Sequence, residues 1–370
     1  TEHDPETGAV LGRNPYNTEF DGRVGFFDVD ESLRSVTGDR VEFIGRNGSM
    51  ARPAAAGRAR LSGRVGAGLD PCAAIGITVS LIDDIEHAVV FRLGAARDEA
   101  QARSLLRQPR DAAAAQKALQ SVQAYWREML GAIQVRTPDA AVDVLANGWL
   151  LYQVIASRYL GRSGFYQSGG AFGFRDQLQD VMSMVHAAPD LVREHLLRCA
   201  AHQFPEGDVQ HWWHPPQGRG VRTHCSDDYL WLPFATCRYL EVSGDHGVLD
   251  AMENHIEGRE LAADEESYYD LPVRSPHRES LYRHCVLAIE HGLSLRGANG
   301  LPLIGTGDWN DGMNRVGAGG KGESVWLGFF LYSVLAQFGA VARMRGDAAF
   351  AGRCDVEAGK LRDAIDADAW

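Results

Sequence analysis

At about Asp98 the hydrophobic pattern of this chain changes period, and that change limits it to folds with a β part followed by an α part. From Phe20 to Ala96 the apolar residues come in short runs: RVGFFDV, RVEFIGR, ARLSGRV, AAIGITVSLI and AVVFRLG. These runs are rich in Val, Ile and Phe and are separated by Gly, Asp, Asn and Pro, which predicts the strands of an antiparallel sandwich. The glycines of GRVGAGLDP come in the wrong order for a dinucleotide-binding loop, and no βαβ alternation follows, so the segment reads as a strand-end turn.

From Asp98 to Leu130 the composition moves to Ala, Gln, Arg and Glu at helical spacing, as in AAAAQKALQSVQAYWREML. This predicts a helical linker between two domains. Beyond Thr137 helical patterns follow one another: Ala140 to Leu160, Asp176 to His186, Asp190 to Gln203, Asp227 to Val242, Arg278 to His291, Ser324 to Arg345 and Ala348 to Ala367. Several are apolar almost all round, as buried helices are. The expected division is a β-sandwich over residues 1–100, a linker over 101–138 and an all-α domain over 139–370. Three polar, aromatic loops recur at alternating helix junctions, YQSGGAFGFRDQLQD, QFPEGDVQHWWHPPQGRGVRTHCSDD and GTGDWNDGMN. In a ring of paired helices alternating junctions open on one face, so the pattern predicts an (α/α) toroid with the loops converging on one cleft.

Composition narrows the partners. The 370 residues are 45% hydrophobic and 23% charged, and the formal net charge is −12. Nucleic acid and anionic membrane surfaces call for a basic face that this balance does not supply, so a neutral or small substrate is expected. Cys72, Cys199, Cys225, Cys237, Cys285 and Cys354 form no CxxC pair, and several sit in apolar helical patterns, as buried reduced thiols of a cytoplasmic compartment do. The apolar run from Val325 to Ala342 contains Ser333 and Gln337 and lacks basic flanks, so it reads as a core helix rather than a membrane span. The polar opening Thr1 to Gly8 is unlike a signal peptide, and a start at Thr together with a stop at Trp370 suggests a piece of a longer protein.

Chemistry concentrates in the three loops. Asp176 and Asp180 are spaced i, i+4, so on a helix starting near Arg175 both carboxylates face one way, and the fork of Arg175 suits sugar hydroxyls or a carboxylate. In the second loop His211, His214, His224 and Cys225 are of zinc-ligand type but lack helical zinc-enzyme spacing, and no HExxH occurs. The same segment also reads as a packed loop, or as a carbohydrate platform in which Trp212 and Trp213 offer flat faces to sugar rings. DWNDG departs from a calcium loop, because its glycine comes early and no acidic residue closes it. A tight Asx turn is one reading of that segment. The other places Trp309 as a hydrophobic wall beside Asp311, an environment that raises a carboxyl pKa and makes a general acid able to protonate a glycosidic oxygen. With phosphate as nucleophile one such acid is enough, whereas an inverting hydrolase needs a second carboxylate such as Asp180 or Asp227.

Together FYQSGGAFGFRDQLQD, EGDVQHWWHPPQGRGVRTHCSDDYLWLP and GTGDWNDGMNRVG closely resemble the glycoside hydrolase family 94 phosphorylases. They look most like the branch that holds the C-terminal regions of cyclic β-1,2-glucan synthases and the 1,2-β-oligoglucan phosphorylases. RNPYNTEF, FIGRNGSM and LSGRVGAGLDPCAA extend the similarity to the first domain. The resemblance implies a β-sandwich, a helical linker and an (α/α)6 barrel, and inverting phosphorolysis of a β-glucosidic bond to α-glucose 1-phosphate without a cofactor. It implies Asp311 as general acid, Arg175, Asp180 and Trp309 around the sugar cleaved off, Arg162 at phosphate, and His224, Asp227 and Asp228 along the cleft. The partners it implies are a β-glucan oligosaccharide and phosphate, with pairing through the sandwich and membership of a larger membrane-bound synthase as further expectations. In this family a histidine and a Thr-Gly loop that contact phosphate come further downstream, so the toroid is expected to be incomplete at its C-terminus.

Overall fold

The computed structural model describes residues 1–16, 21–80, 82, 86–161, 170–262 and 264–369. The chain forms two compact units, Thr1–Tyr125 and Trp126–Trp370.

The first unit carries two antiparallel sheets. Strands β1 (Glu2–His3), β2 (Val10–Arg13), β3 (Val24–Val29) and β6 (Phe91–Ala96) lie in the order β1-β2-β3-β6, and β4 (Arg34–Asp39) pairs with β5 (Pro71–Ile77). Along β3 buried Val24 and Phe26 alternate with half-buried Gly25 and Phe27, the period-2 pattern of a sheet with one face on a core. Those inward residues meet Leu11, Ala96, Ala102 and Leu106. Ala102 and Leu106 belong to helix α2 (Glu99–Leu106), whose start is capped by the Asp98 carboxylate accepting from Gln101 N at 2.8 Å. Two of the expected strands are absent as such. RVEFIGR forms a short helix, α1 (Arg40–Ile44), capped by Asp39, and ARLSGRV is irregular. In both, charged residues and glycine interrupt the alternation that a strand needs.

Helix α3 (Ala112–Leu130) leads into the second unit, followed by α4 (Ala140–Val144), α5 (Leu150–Val154), α6 (Phe174–Val181), α7 (Pro189–Ala200), α8 (Trp231–Ser243), α9 (Leu281–Ser294), α10 (Val325–Met344) and α11 (Ala348–Asp368). Their apolar faces share one core that includes Phe172, Leu178, Leu196, Leu232, Ile289, Leu331 and Phe338. The α10–α11 hairpin turns at Gly346, whose φ of +80° is costly for residues with a Cβ, and α11 is capped by Asp347. Thus Val325–Met344 contributes core residues such as Leu327, Leu331 and Phe338, although among the described residues it is one of two helices long and apolar enough to cross a membrane. All six cysteines are free thiols.

The all-α expectation for this unit is corrected. A four-stranded antiparallel sheet has the order β11 (Ser267–Asp270), β9 (Arg219–Thr223), β8 (Gln210–His214), β7 (Phe172–Gly173), and β10 (Met252–Glu257) pairs with β12 (Val273–Ser280). These strands escaped the sequence reading because His, Arg and Trp, rather than Val and Ile, occupy them. Cross-strand pairing, which joins segments up to about 50 residues apart, supplies the order that local propensity does not.

Candidate functional site

The three chemistry-bearing loops meet at Arg175. This residue enters α6 directly after β7 and is 6% exposed. Its Nη1 donates to the Asp308 carbonyl at 3.0 Å and faces both Asp227 oxygens at 3.3 and 3.4 Å, while Nη2 donates to Asp311 Oδ1 at 2.6 Å. One guanidinium therefore ties the start of α6 to the segment before α8 and to the DWNDG loop. Burial works against its charge, but Asp227 and Asp311 outweigh that and hold it more firmly protonated than usual.

The carboxylates around it differ sharply. Asp227 is fully buried, accepts from Trp231 Nε1 at 2.9 Å, and is approached by Cys225 Sγ at 3.4 Å. Burial and then the charge of Asp228 push its pKa up to about 6, against the pull of Arg175. Asp228, 2% exposed, meets His211 Nδ1 at 2.6 Å. That carboxylate raises His211 to about 9 despite burial of the ring. Asp311 is the exception, with its side chain 69% exposed. Trp309 is 51% exposed, and its ring lies 6.5 Å from that of Trp326. Trp309 and Asp311 are thus both exposed side chains of the DWNDG loop, with Arg175 paired to the carboxylate.

The loop is held from beneath. Ser226 N and Oγ both donate to the Gly307 carbonyl, and Thr306 N donates to the His224 carbonyl. Asp308, 2% exposed, accepts from Asn310 N and Nδ2 at 2.8 and 3.0 Å and from the Ser324 hydroxyl. Gly305 has φ +59°, and a Cβ there would lie 1.9 Å from the His224 carbonyl oxygen, so only glycine fits. The Asx turn considered from sequence is therefore present, built on Asp308, and it sets the direction of Asp311 three residues further on. The sequence offers His211 only as a candidate zinc ligand and gives Asp308 no role of its own; the DxN step at 308–310 is the signal for the latter.

Other residues fall elsewhere. Trp213 is 2% exposed, with its indole 3.8 Å from the His202 ring and stacked on Phe172 at 5.4 Å. It is a core side chain, which corrects its reading as a sugar platform. Neighbouring residues on a strand point to opposite faces, so Trp212 and Trp213 cannot share a surface. Trp212 is half-buried beside His214 and Tyr269. Asp180 pairs with Arg158 at 2.7 Å rather than with Arg175. His224 is exposed, its Nε2 3.2 Å from the Ala262 carbonyl, and it lines a cavity of about 360 Å³ with Ser226, Thr306 and Asn314. A larger apolar cleft of about 890 Å³, lined by Met182, Phe234, Leu240 and Met344, shares none of these residues. Arg162 lies outside the described residues. His211, Cys225 and Asp228 come within metal-ligand reach of one another. Burial and then Asp228 push the Cys225 thiol well up, and His211 is held protonated, so a cation there would have to displace both protons.

Comparison with known proteins agrees with a strand-rich unit followed by a second unit. Over its whole length the chain is 39% identical to the cyclic beta-(1,2)-glucan synthase NdvB of Rhizobium meliloti, of which it covers 13%. It is 26% identical to the N,N'-diacetylchitobiose phosphorylase of Vibrio proteolyticus, with 96% of the chain and 45% of that protein aligned. It is 27% identical to the solabiose phosphorylase of Paenibacillus borealis, with 90% and 40% aligned. The chain therefore spans less than half the length of these relatives. Residues 1–151 match the glycosyl hydrolase 94 supersandwich domain and residues 125–370 the catalytic domain of the glycosyl hydrolase 94 superfamily. The chain belongs to the glycosyl hydrolase 94 superfamily, among whose members are glycoside phosphorylases.

Proposed function

We propose that this chain is the phosphorolytic part of a β-1,2-glucan enzyme, which cleaves a terminal β-glucosyl unit with inorganic phosphate, releases α-glucose 1-phosphate and so limits glucan length. One observation carries the reading: of the carboxylates joined to Arg175, Asp311 alone faces outward, where a substrate can reach it. The 39% identity to a glucan synthase supports the glucan, and the phosphorylase relatives support phosphate as the second substrate.

In this proposal Asp311 gives its proton to the glycosidic oxygen as the C1–O bond breaks. A phosphate oxygen attacks C1 from the opposite face, which inverts the β bond to the α-phosphate. The spent carboxylate recovers its proton from phosphate or water before the next cycle. Arg175 holds the DWNDG loop by the Asp308 carbonyl and sets the Asp311 oxygen by direct contact. Trp309, exposed on the same loop as the acid, is the surface on which a sugar ring packs, and a seated sugar would exclude water from the acid. His224 and Trp212 extend the contact surface, Asp180 shapes the same subsite through Arg158, and Arg162 serves phosphate. We further propose that the helices of the second unit belong to an (α/α)6 barrel.

A hydrolytic variant would need a second carboxylate to activate water. Asp227 is fully buried against Arg175 and Trp231, which favours the phosphorolytic reading. The test is incubation of the purified protein with linear β-1,2-glucan, with and without phosphate. Glucose 1-phosphate formed only with phosphate and lost in Asp311→Asn is the expected result. Free glucose in phosphate-free buffer would indicate a hydrolase, and saturable glucan binding without turnover a binding module.

A further inference from the structure

Strands β10 and β12 hold a second polar cluster. Their antiparallel register pairs Asn254 with Arg278 and Ile256 with Arg274, so β12 carries extra residues opposite His255. Such a bulge re-aims the side chains around it. His277 and Glu279, two apart on β12, share a face, and His255 meets them from β10. The ring of His255 is 0% exposed, and neither of its nitrogens has a hydrogen-bond partner; Glu279 Oε2 is likewise buried and unpartnered. Orphaned buried polar atoms of this kind cost free energy unless something satisfies them.

The spacing says what would. His255 Nε2 lies 3.6 Å from Glu279 Oε2, and His277 Nε2 lies 3.5 Å from Glu279 Oε1. Both separations are too long for hydrogen bonds. Two ligands of a tetrahedral zinc ion, each bonded at about 2.1 Å, stand roughly 3.4 Å apart, close to these two separations, which run to the two oxygens of one carboxylate. All three ligand atoms lie within 4.8 Å of one another.

We propose that His255, His277 and Glu279 form a binding site for a divalent transition-metal ion of the zinc type, with water completing a tetrahedral shell. Two imidazoles and one carboxylate are a donor set that suits zinc. Burial holds His255 below its ordinary pKa range, so its ring binds as the neutral base without first losing a proton. His284 backs the site: it stacks on His255 at 4.2 Å, while its own nitrogens are committed to Gln203 Oε1 at 2.7 Å and the Glu253 carbonyl at 3.3 Å. It therefore orients the buried ligand rather than binding the ion. His277, with 60% of its side chain exposed, gives the ion a path from solvent. Arg283, with Nε 3.8 Å from Glu279 Oε2 and Nη1 near Glu290, is the cation that competes for the carboxylate. The bound ion would fasten β12 to β10 just before Ser280, the cap of α9.

The test uses the purified protein stripped by a chelator and titrated with Zn²⁺ by calorimetry, and with Co²⁺ read by its visible tetrahedral bands. One equivalent is expected to bind and to raise the Tm. His277→Ala at an exposed side chain, and Glu279→Gln, which keeps the shape of a partly buried one, should each weaken binding at least about ten-fold and abolish the Tm rise. Wild-type protein without saturable binding would overturn the proposal. Equally, so would affinity unchanged in both variants, including binding that moves to the His211–Cys225–Asp228 trio and is lost in His211→Asn.

Discussion

Arg175 and Asp311 are 136 residues apart in the chain, yet Nη2 of the first donates to Oδ1 of the second at 2.6 Å. The pair joins a buried cation to an exposed carboxylate, and the two ends should respond differently to substitution. Asp311→Asn keeps the shape of the side chain and leaves Asp227 on Arg175 but weakens one charged hydrogen bond, so stability should fall by about 1–3 kcal/mol. Glucose 1-phosphate formation should fall by about 10²–10⁴-fold if this group is the proton donor. Urea melts and a phosphorolysis assay on one preparation check both.

Arg175→Ala should unfold the site from within. It leaves Asp227 fully buried without its cation and the Asp308 carbonyl without its donor. Breaking a buried pair on one side costs about 3–5 kcal/mol, readable as a lower urea midpoint.

The two adjacent tryptophans should separate cleanly. Trp213→Ala empties a core position between Phe172 and His202 and should cost about 3–5 kcal/mol. Trp212→Ala should cost far less stability and instead raise KM for glucan. Equal stability losses would contradict the opposed faces seen in β8.

The His211–Asp228 pair predicts a pH dependence of stability. The folded value of His211 is about 9 against an ordinary 6.5, and the Asp228 carboxylate is the cause. The contribution is therefore fully present below pH 6.5 and is lost as pH rises through 9. It amounts to about 3 kcal/mol as an order of magnitude. Unfolding free energy measured at pH 6.5 and 9.5 should fall by that order in wild type and clearly less in His211→Asn.

Gly305→Ala should be severe for a single methyl group, because the obstacle is the His224 backbone rather than a movable side chain. Strain at φ +59° and the clash should together cost about 1–3 kcal/mol or more. Activity should drop further as Asp308 and Asp311 shift, which parallel melts and rate measurements would show.

Local pattern carried much of this protein. The change of period near Asp98, the helices from α6 to α11, and the three loops with Arg175, Asp227 and Asp311 in them are legible because periodicity, caps and glycines are local signals. The strands β7–β12 were not legible. His, Trp and Arg in QHWWH and RGVRT look like loop chemistry until a partner strand supplies their hydrogen bonds.

What the amino-acid sequence determined by itself is which segments carry chemistry and that Asp311 sits in a tight, glycine-bounded turn. Only the tertiary structure decided the environment of each charge. It buried Trp213, turned Asp180 toward Arg158, left Asp311 exposed, and gathered Asp227, Asp308 and Asp311 around the Arg175 guanidinium. The physical reason is that burial and electrostatic pairing depend on contacts between residues from about 10 to about 140 positions apart, and no local pattern encodes the geometry in which those contacts close.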